Sequence, residues 1–338
     1  MRVTGFMLIL LCMPLTTFAQ TAAVTRIVDA VVLDESGMVV TDLTPDSFTL
    51  LENGQPHEIR NFSGPDTPWN VIVLLDYGIQ ALRTSPANAV RSPRPMLMKG
   101  VEAFLSNLRV RDRVLIAAFN DQVEVLMDWR TIAGRGSQEV KVKEPTQRVQ
   151  GARDFYGALE WAARKLKGTA GRKLVIVFTD GRDGRLAPQW FMNADRLEVF
   201  DPLFGLADTG EAEEFRQTSD AIRASGVRFH FVAVDANLPP ELNGRPLNEL
   251  FPGTEKAAES YAARVRSRIE TLASVSGGSV TYGRLDQGIA VLQRLYQDQG
   301  LGALYTIEYD SASGGDLPPA IQIQMKERKL RARHSVRR

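Results

Sequence analysis

Five consecutive aliphatic residues, Val71 to Leu75, run straight into Asp76, and Tyr77-Gly78 follows. A strand apolar in both alternating phases must be covered on both faces, which is the condition of a central strand in a parallel α/β sheet. Ligands bind to open sheets of that kind at the carboxyl ends of the strands. Lys173 to Thr179 repeats the pattern, an apolar run closed by Asp180 and Gly181. Two buried strands that each deliver a carboxylate to one sheet edge define a candidate site. Either acid taken alone reads as readily as a loop opener or a helix cap.

The rest of the chain organises around these runs. Residues 20–66 read as a β segment: Ile27 to Leu33 is strand-like, Thr44-Pro45 looks like an N-cap with proline at N1, and Asn53-Gly54 is a hairpin signal. Strand and helix then alternate through residues 67–300. A helical face comprises Leu97, Val101, Phe104, Leu105 and Leu108. Arg113 to Phe119 and Gln122 to Trp129 form an edge hairpin, and a second helix carries Phe155, Ala158, Leu159, Ala162 and Leu166. Asp183 to Gly210 is expected to be a long connection bearing Trp190, Phe191, Phe200 and Phe204, which either pack on one another or offer a partner an aromatic patch. A helix over 211–224, the strand Val227 to Val234 and a helix closed by Gly277-Gly278 follow. Residues 301–338 return to β structure and end in a basic tail. The expected fold is α/β, a doubly wound, mostly parallel Rossmann-like sheet, with a small β-sandwich-like unit built from both chain ends.

A short secretory signal occupies residues 1–19: Arg2, the apolar run Phe6 to Met13, then Thr17-Phe18-Ala19. Cleavage is expected after Ala19, giving an exported protein, periplasmic or extracellular, without a transmembrane segment. The lone Cys12 lies inside the signal, so neither disulfides nor thiol chemistry is available beyond it. The net charge of +1 argues against nucleic acid as a partner.

Enzymatic constellations are sparse. His57, His230 and His334 are scattered, and there is no Walker loop, no G-x-S-x-G elbow and no G-x-G-x-x-G after the first strand. Asp76 at a strand exit could suggest a phosphotransfer nucleophile, but residue 78 is glycine, so the second acid of a D-x-D pair is missing. Catalytic residues are therefore not expected.

The order of these segments resembles a von Willebrand factor type A domain: a strand ending in Asp76, an amphipathic helix, Arg111 to Phe119, Gly151 to Leu159, then Val175-Ile-Val-Phe-Thr-Asp-Gly181. The flanks, Asp42 to Pro56 and the C-terminal Tyr305-Thr-Ile-Glu-Tyr309, resemble exported bacterial relatives of that family, a group abundant in acidobacteria. The resemblance implies an interaction or adhesion module with a divalent cation, usually Mg²⁺, at the carboxyl edge. In the family the ion is held by Asp-x-Ser-x-Ser, a threonine and a later aspartate, and takes a carboxylate from a partner.

Only Asp76 and Asp180 match those ligand positions. The serine positions are Gly78 and Gln80, and the threonine position falls on Arg153, so the site is expected to be degenerate and a resident Mg²⁺ is not expected. Two readings of Arg153 remain open here: it bridges Asp76 and Asp180 in place of the ion, or it points to solvent while Asp154 caps the helix. The expected binding face comprises Asp76, Tyr77, Gly78, Gln80, Arg153, Asp154, Asp180, Asp183, Trp190 and Phe191. Its partner is an unidentified protein or envelope ligand. A structural envelope scaffold docked through the β unit is the first competing reading, and a hydrolase using Asp76 is the second.

Overall fold

The computed structural model describes residues 24–79, 94–133, 142–143, 153–183, 200–236, 241–242, 245–246, 255–298, 300–311, 320–327 and 329–336. Gln80, Trp190, Phe191 and the expected cleavage region lie outside them. The strands are β1 (Val24–Leu33), β2 (Phe48–Glu52), β3 (Gln55–His57), β4 (Asn61–Ser63) and β5 (Trp69–Asp76). Helix α1 (Arg94–Asn107) leads to β6 (Arg113–Phe119) and β7 (Val123–Thr131), and α2 (Phe155–Leu166) leads to β8 (Arg172–Thr179). Then come α3 (Phe200–Ser225), β9 (Arg228–Val234), the short pair β10 (Glu241–Leu242) and β11 (Arg245–Pro246), and α4 (Glu255–Ser276). The described chain closes with β12 (Ser279–Gly283), α5 (Leu285–Asp298), β13 (Tyr305–Ser311), β14 (Ile321–Met325) and β15 (Arg331–Val336).

The central sheet has the order β12-β9-β8-β5-β6-β7, parallel except for the edge strand β7. All eight residues of β5 are buried. The two-residue strand period sends Val71, Val73 and Leu75 to one face, against Leu97, Val101 and Phe104 of α1 and Leu292 and Leu295 of α5. Ile72 and Leu74 face the opposite layer, with Leu159 and Ala162 of α2, Ile222 of α3 and Ile269 and Leu272 of α4. Each such aliphatic contributes about 1.5–3 kcal/mol on burial, which is why an uninterrupted apolar run can occupy only the middle of the sheet. From β5 the chain proceeds outward to β6 and β7, then crosses back to β8 and continues to β9 and β12. The crevice between the carboxyl ends of β5 and β8 is thus the topological switch point.

Both chain ends combine beside this domain. A four-stranded sheet, β15-β1-β13-β4, packs on a three-stranded sheet, β14-β2-β3, through Val28, Val32, Phe48, Leu50, Tyr305, Ile307 and Tyr309. Asn53 and Gly54 both take positive φ (51° and 81°) between β2 and β3, the backbone that a two-residue hairpin demands. A buried ion pair, Arg228 of β9 with Asp29 of β1, ties the sandwich to the central sheet.

Thr44 stands at the N-cap of a 3₁₀ turn, Pro45–Ser47, with proline opening the turn as expected, although the Thr44 side chain makes no capping hydrogen bond. One local expectation is corrected. The connection expected to run to Gly210, with a helix starting at Glu211, is helical from Phe200, and α3 runs 26 residues. Pro202 sits in its first turn, where no intrahelical N–H is lost, and Gly205 and Gly210 are tolerated inside the helix rather than breaking it.

Candidate functional site

Asp76 is the last residue of β5 and is fully buried. Its Oδ1 accepts the Gly78 amide at 2.8 Å and its Oδ2 accepts the Thr179 hydroxyl at 2.6 Å. Thr179 ends the neighbouring strand β8, so Asp180 emerges beside Asp76 across the switch-point crevice. Arg153 joins the two acids: its Nη1 donates to Asp76 Oδ2 at 3.0 Å and to Asp180 Oδ1 at 2.6 Å. The guanidinium is almost wholly enclosed, with a side-chain exposure of 10%.

The start of α2 is what holds Arg153 there. Asp154 is the N-cap, its Oδ1 accepting the Gly157 amide at 2.7 Å. Asp183, from the exit of β8, accepts the Phe155 and Tyr156 amides at 2.9 and 3.3 Å. Two carboxylates thereby satisfy the first N–H groups of the helix and complement its positive end. The Asp154 amide donates to the Asn120 carbonyl at 2.6 Å, which fixes the helix start to the end of β6. Arg153 therefore turns inward and bridges the two acids, not outward to solvent, and of the other alternative only the Asp154 cap is present.

Glycine at 78 makes the inward turn possible. A Cβ on Gly78 would lie 2.5 Å from Arg153 Cδ and 3.1 Å from both Arg153 Nε and Asn120 Oδ1. Gly181 is needed for two reasons: it adopts φ +78°, and a Cβ there would overlap Ile269 of α4.

Burial pushes the Asp76 carboxyl up to about 6, and the nearby Asp180 charge adds to the rise; Arg153, the Thr179 hydroxyl and the Gly78 amide oppose it. Burial also works against the Arg153 charge, but Asp180 and Asp76 outweigh it and hold the guanidinium above its ordinary pKa. One cation facing two carboxylates accounts for both directions. Because the proton on Asp76 is held more tightly in the folded chain, this group's contribution to stability is complete below pH 3.8 and is lost as pH rises to about 6. Asp76→Asn should therefore gain stability relative to wild type between pH 4 and pH 7, by on the order of 2 kcal/mol. Urea titrations at the two pH values would read the gain, and equal pH responses in the two proteins would refute it.

Of the remaining expected binding residues, Tyr77 is buried, its hydroxyl 3.5 Å from Met98 Sδ. Asp183 is buried against the α2 terminus, and Asp154 is partly exposed. Gln80, Trp190 and Phe191 lie outside the described residues, so the structure brings together Asp76, Gly78, Arg153 and Asp180, with Asp154 and Asp183 behind them. Two residues escaped the sequence reading. Thr179 completes the shell of Asp76, and Asn120, 1% exposed, sits at the exit of β6 with neither side-chain amide atom hydrogen-bonded. A polar residue closing each of three adjacent parallel strands was the available signal. The histidines lie elsewhere: His57 contacts Glu52, His230 contacts Ser279, and His334 contacts the Ile321 carbonyl.

Residues 90–182, which carry α1, β6, β7, α2 and β8, match the family model of the von Willebrand factor type A domain. The central sheet, with helices on both faces and a single antiparallel edge strand, has that fold. Similar solved structures include an aerotolerance-related membrane protein from Bacteroides fragilis, at 13% identity, covering 69% of this chain and 98% of that one with a TM-score of 0.35. The ArnB paralog VWA2 from Sulfolobus acidocaldarius is similar at 11% identity, over 79% of this chain and 54% of that one, with a TM-score of 0.38. A point mutant of the PilB minor pilin from Streptococcus sanguinis is 11% identical over 70% of this chain and 62% of that one, with a TM-score of 0.40. No curated protein matches the chain. Among the described residues no helix is long and apolar enough to cross a membrane.

Proposed function

We propose that this chain is an exported, non-enzymatic interaction module that meets a protein or envelope partner with the carboxyl edge of its central sheet. One observation carries the reading: Arg153 joins Asp76 and Asp180 at the switch point. Buried ion pairs contribute little net stability compared with well-packed apolar residues of the same size. A charged triad in the one crevice where such sheets bind ligands is better explained as pre-organisation of a recognition edge. The triad itself is covered, so contact falls to the rim around it: Asp121 and Gln122 after β6, Asp154 before α2, Arg182 after β8, and Arg284 after β12. The match of residues 90–182 to the type A domain supports an interaction role.

Catalysis at Asp76 is disfavoured by the same contacts. Its carboxylate is engaged by Arg153, Thr179 and the Gly78 amide, and residue 78 offers no acid or base. The scaffold reading assigns docking to the sandwich instead, and a photo-cross-linking experiment separates the two. With a photoreactive phenylalanine analogue in the full chain, produced in its own cells, positions 122 and 284 should give adducts and position 324 on β14 should not. Adducts from position 324 alone would move the partner to the sandwich and overturn the proposal.

A further inference from the structure

The resemblance implies a divalent cation, and the residues present do not fit one. Nη1 of Arg153 stands where the two carboxylates converge, within 3.0 Å of both oxygens. A Mg²⁺ ion needs oxygen ligands at about 2.0–2.1 Å in a near-octahedral set. Among the described residues no third aspartate, glutamate, histidine or cysteine joins Asp76 and Asp180 to form such a set. Residue 78 offers no side-chain oxygen, and it cannot acquire one while Arg153 is in place, because any Cβ there would meet the arginine arm.

We propose that Arg153 is a resident counter-ion that takes the place of a divalent cation at this edge, and that Gly78 is the residue that admits it. The two positions are coupled by sterics. A side chain at 78 and the inward arginine exclude one another, so glycine at 78 accompanies a guanidinium at 153. Charge couples them to the acids in turn. Asp76 and Asp180 are 0% and 4% exposed at their side chains, and without a cation between them their mutual repulsion acts at low effective dielectric. A guanidinium delivers that neutralisation covalently tethered and independent of cation supply. It also closes the open coordination position through which an ion would take a partner carboxylate, so recognition here works without an acidic side chain bridging to metal. The inference stands whether or not the edge binds a protein, since cation binding is read separately from cross-linking.

The test is titration of the full chain with MnCl₂ and MgCl₂, followed by calorimetry and by thermal midpoint. Wild type should show neither saturable heat nor a midpoint shift at millimolar cation. Arg153→Ser removes the tethered charge and leaves Asp76, Asp180, the Thr179 hydroxyl and the introduced hydroxyl facing one another. Its midpoint should rise by several degrees with Mn²⁺ in a saturable way, and the rise should vanish in Arg153→Ser/Asp76→Asn. If Arg153→Ser folds only when Mn²⁺ is present, that dependence is the same result read as refolding yield. Arg153→Lys keeps a point charge and should fold and remain indifferent to Mn²⁺. One-site binding to wild type that Asp76→Asn abolishes would overturn the proposal. So would an Arg153→Ser chain that is indifferent to Mn²⁺ or fails to fold in its presence, or an Arg153→Lys chain that depends on the ion.

Discussion

Arg153→Met is expected to destabilise the protein by about 3–5 kcal/mol at neutral pH, the cost of breaking a buried ion pair from one side. The loss is not that of one attractive contact. Removing the guanidinium leaves two enclosed carboxylates across one crevice, with, among the described residues, the Thr179 hydroxyl and the Gly78 and Arg182 amides to satisfy them. A second variant isolates the cause. In Asp76→Asn/Arg153→Met/Asp180→Asn no charge remains to be compensated, so most of the loss should be recovered. Chemical denaturation of both variants and wild type at pH 7 is the measurement. If the triple variant is as unstable as the single one, the arginine contributes packing along its methylenes, and the electrostatic account of the site fails.

How far this arrangement can be read from the sequence depends on which force fixes each part. Val71 to Leu75 and Leu174 to Phe178 announce buried central strands because burial on both faces leaves a contiguous apolar run, and the acids that end them mark the edge. The side chain of Arg153 is different. Solvent-facing and inward rotamers have the same sequence, and the choice between them is made by Asp183 and Asn120, which pin the start of α2 from β8 and β6. Those contacts join residues tens of positions apart and leave no periodicity. Asn120 and Thr179 go unnoticed for a related reason, since a polar residue closing a strand looks like the first residue of a loop. The start of α3 at Phe200 is obscured by Pro202, Gly205 and Gly210, which act as breakers on average and are overruled by context here. Asp29 and Arg228 lie in different units, and nothing local in the sequence of either predicts their pairing.

Arg172→Met is expected to loosen the join between the sandwich and the α/β domain, lowering stability by about 3 kcal/mol or more. Arg172 opens β8 at the amino end of the sheet, 4% exposed, and lies over the Trp69 ring at 4.3 Å. Its Nε donates to the Thr67 carbonyl at 2.7 Å, Nη2 to Pro65 at 2.8 Å, and Nη1 to Leu304 at 3.1 Å and Leu301 at 3.4 Å. These carbonyls belong to the two places where the chain passes between the units, so one planar fork clamps both crossings. Burial lowers the arginine to about 10, an indication of how strongly the site desolvates it. Methionine would fill the volume but remove the arginine's donors from the Thr67 and Leu304 carbonyls, while Pro65 keeps Arg109 and Leu301 keeps the Trp69 indole N–H; lysine would replace a fork by a single ammonium and recover little. The polar contacts left at the join would include Asp29–Arg228, the Arg109 contacts to Pro65 and Gly302, and the Trp69 indole bond to the Leu301 carbonyl. Limited proteolysis of folded Arg172→Met should therefore cut near residues 64–68 and 300–304 while wild type resists, and its thermal unfolding should broaden or separate into two steps. A variant that resists protease at both crossings and unfolds in a single transition at the wild-type temperature would mean that the crossings are held by packing alone.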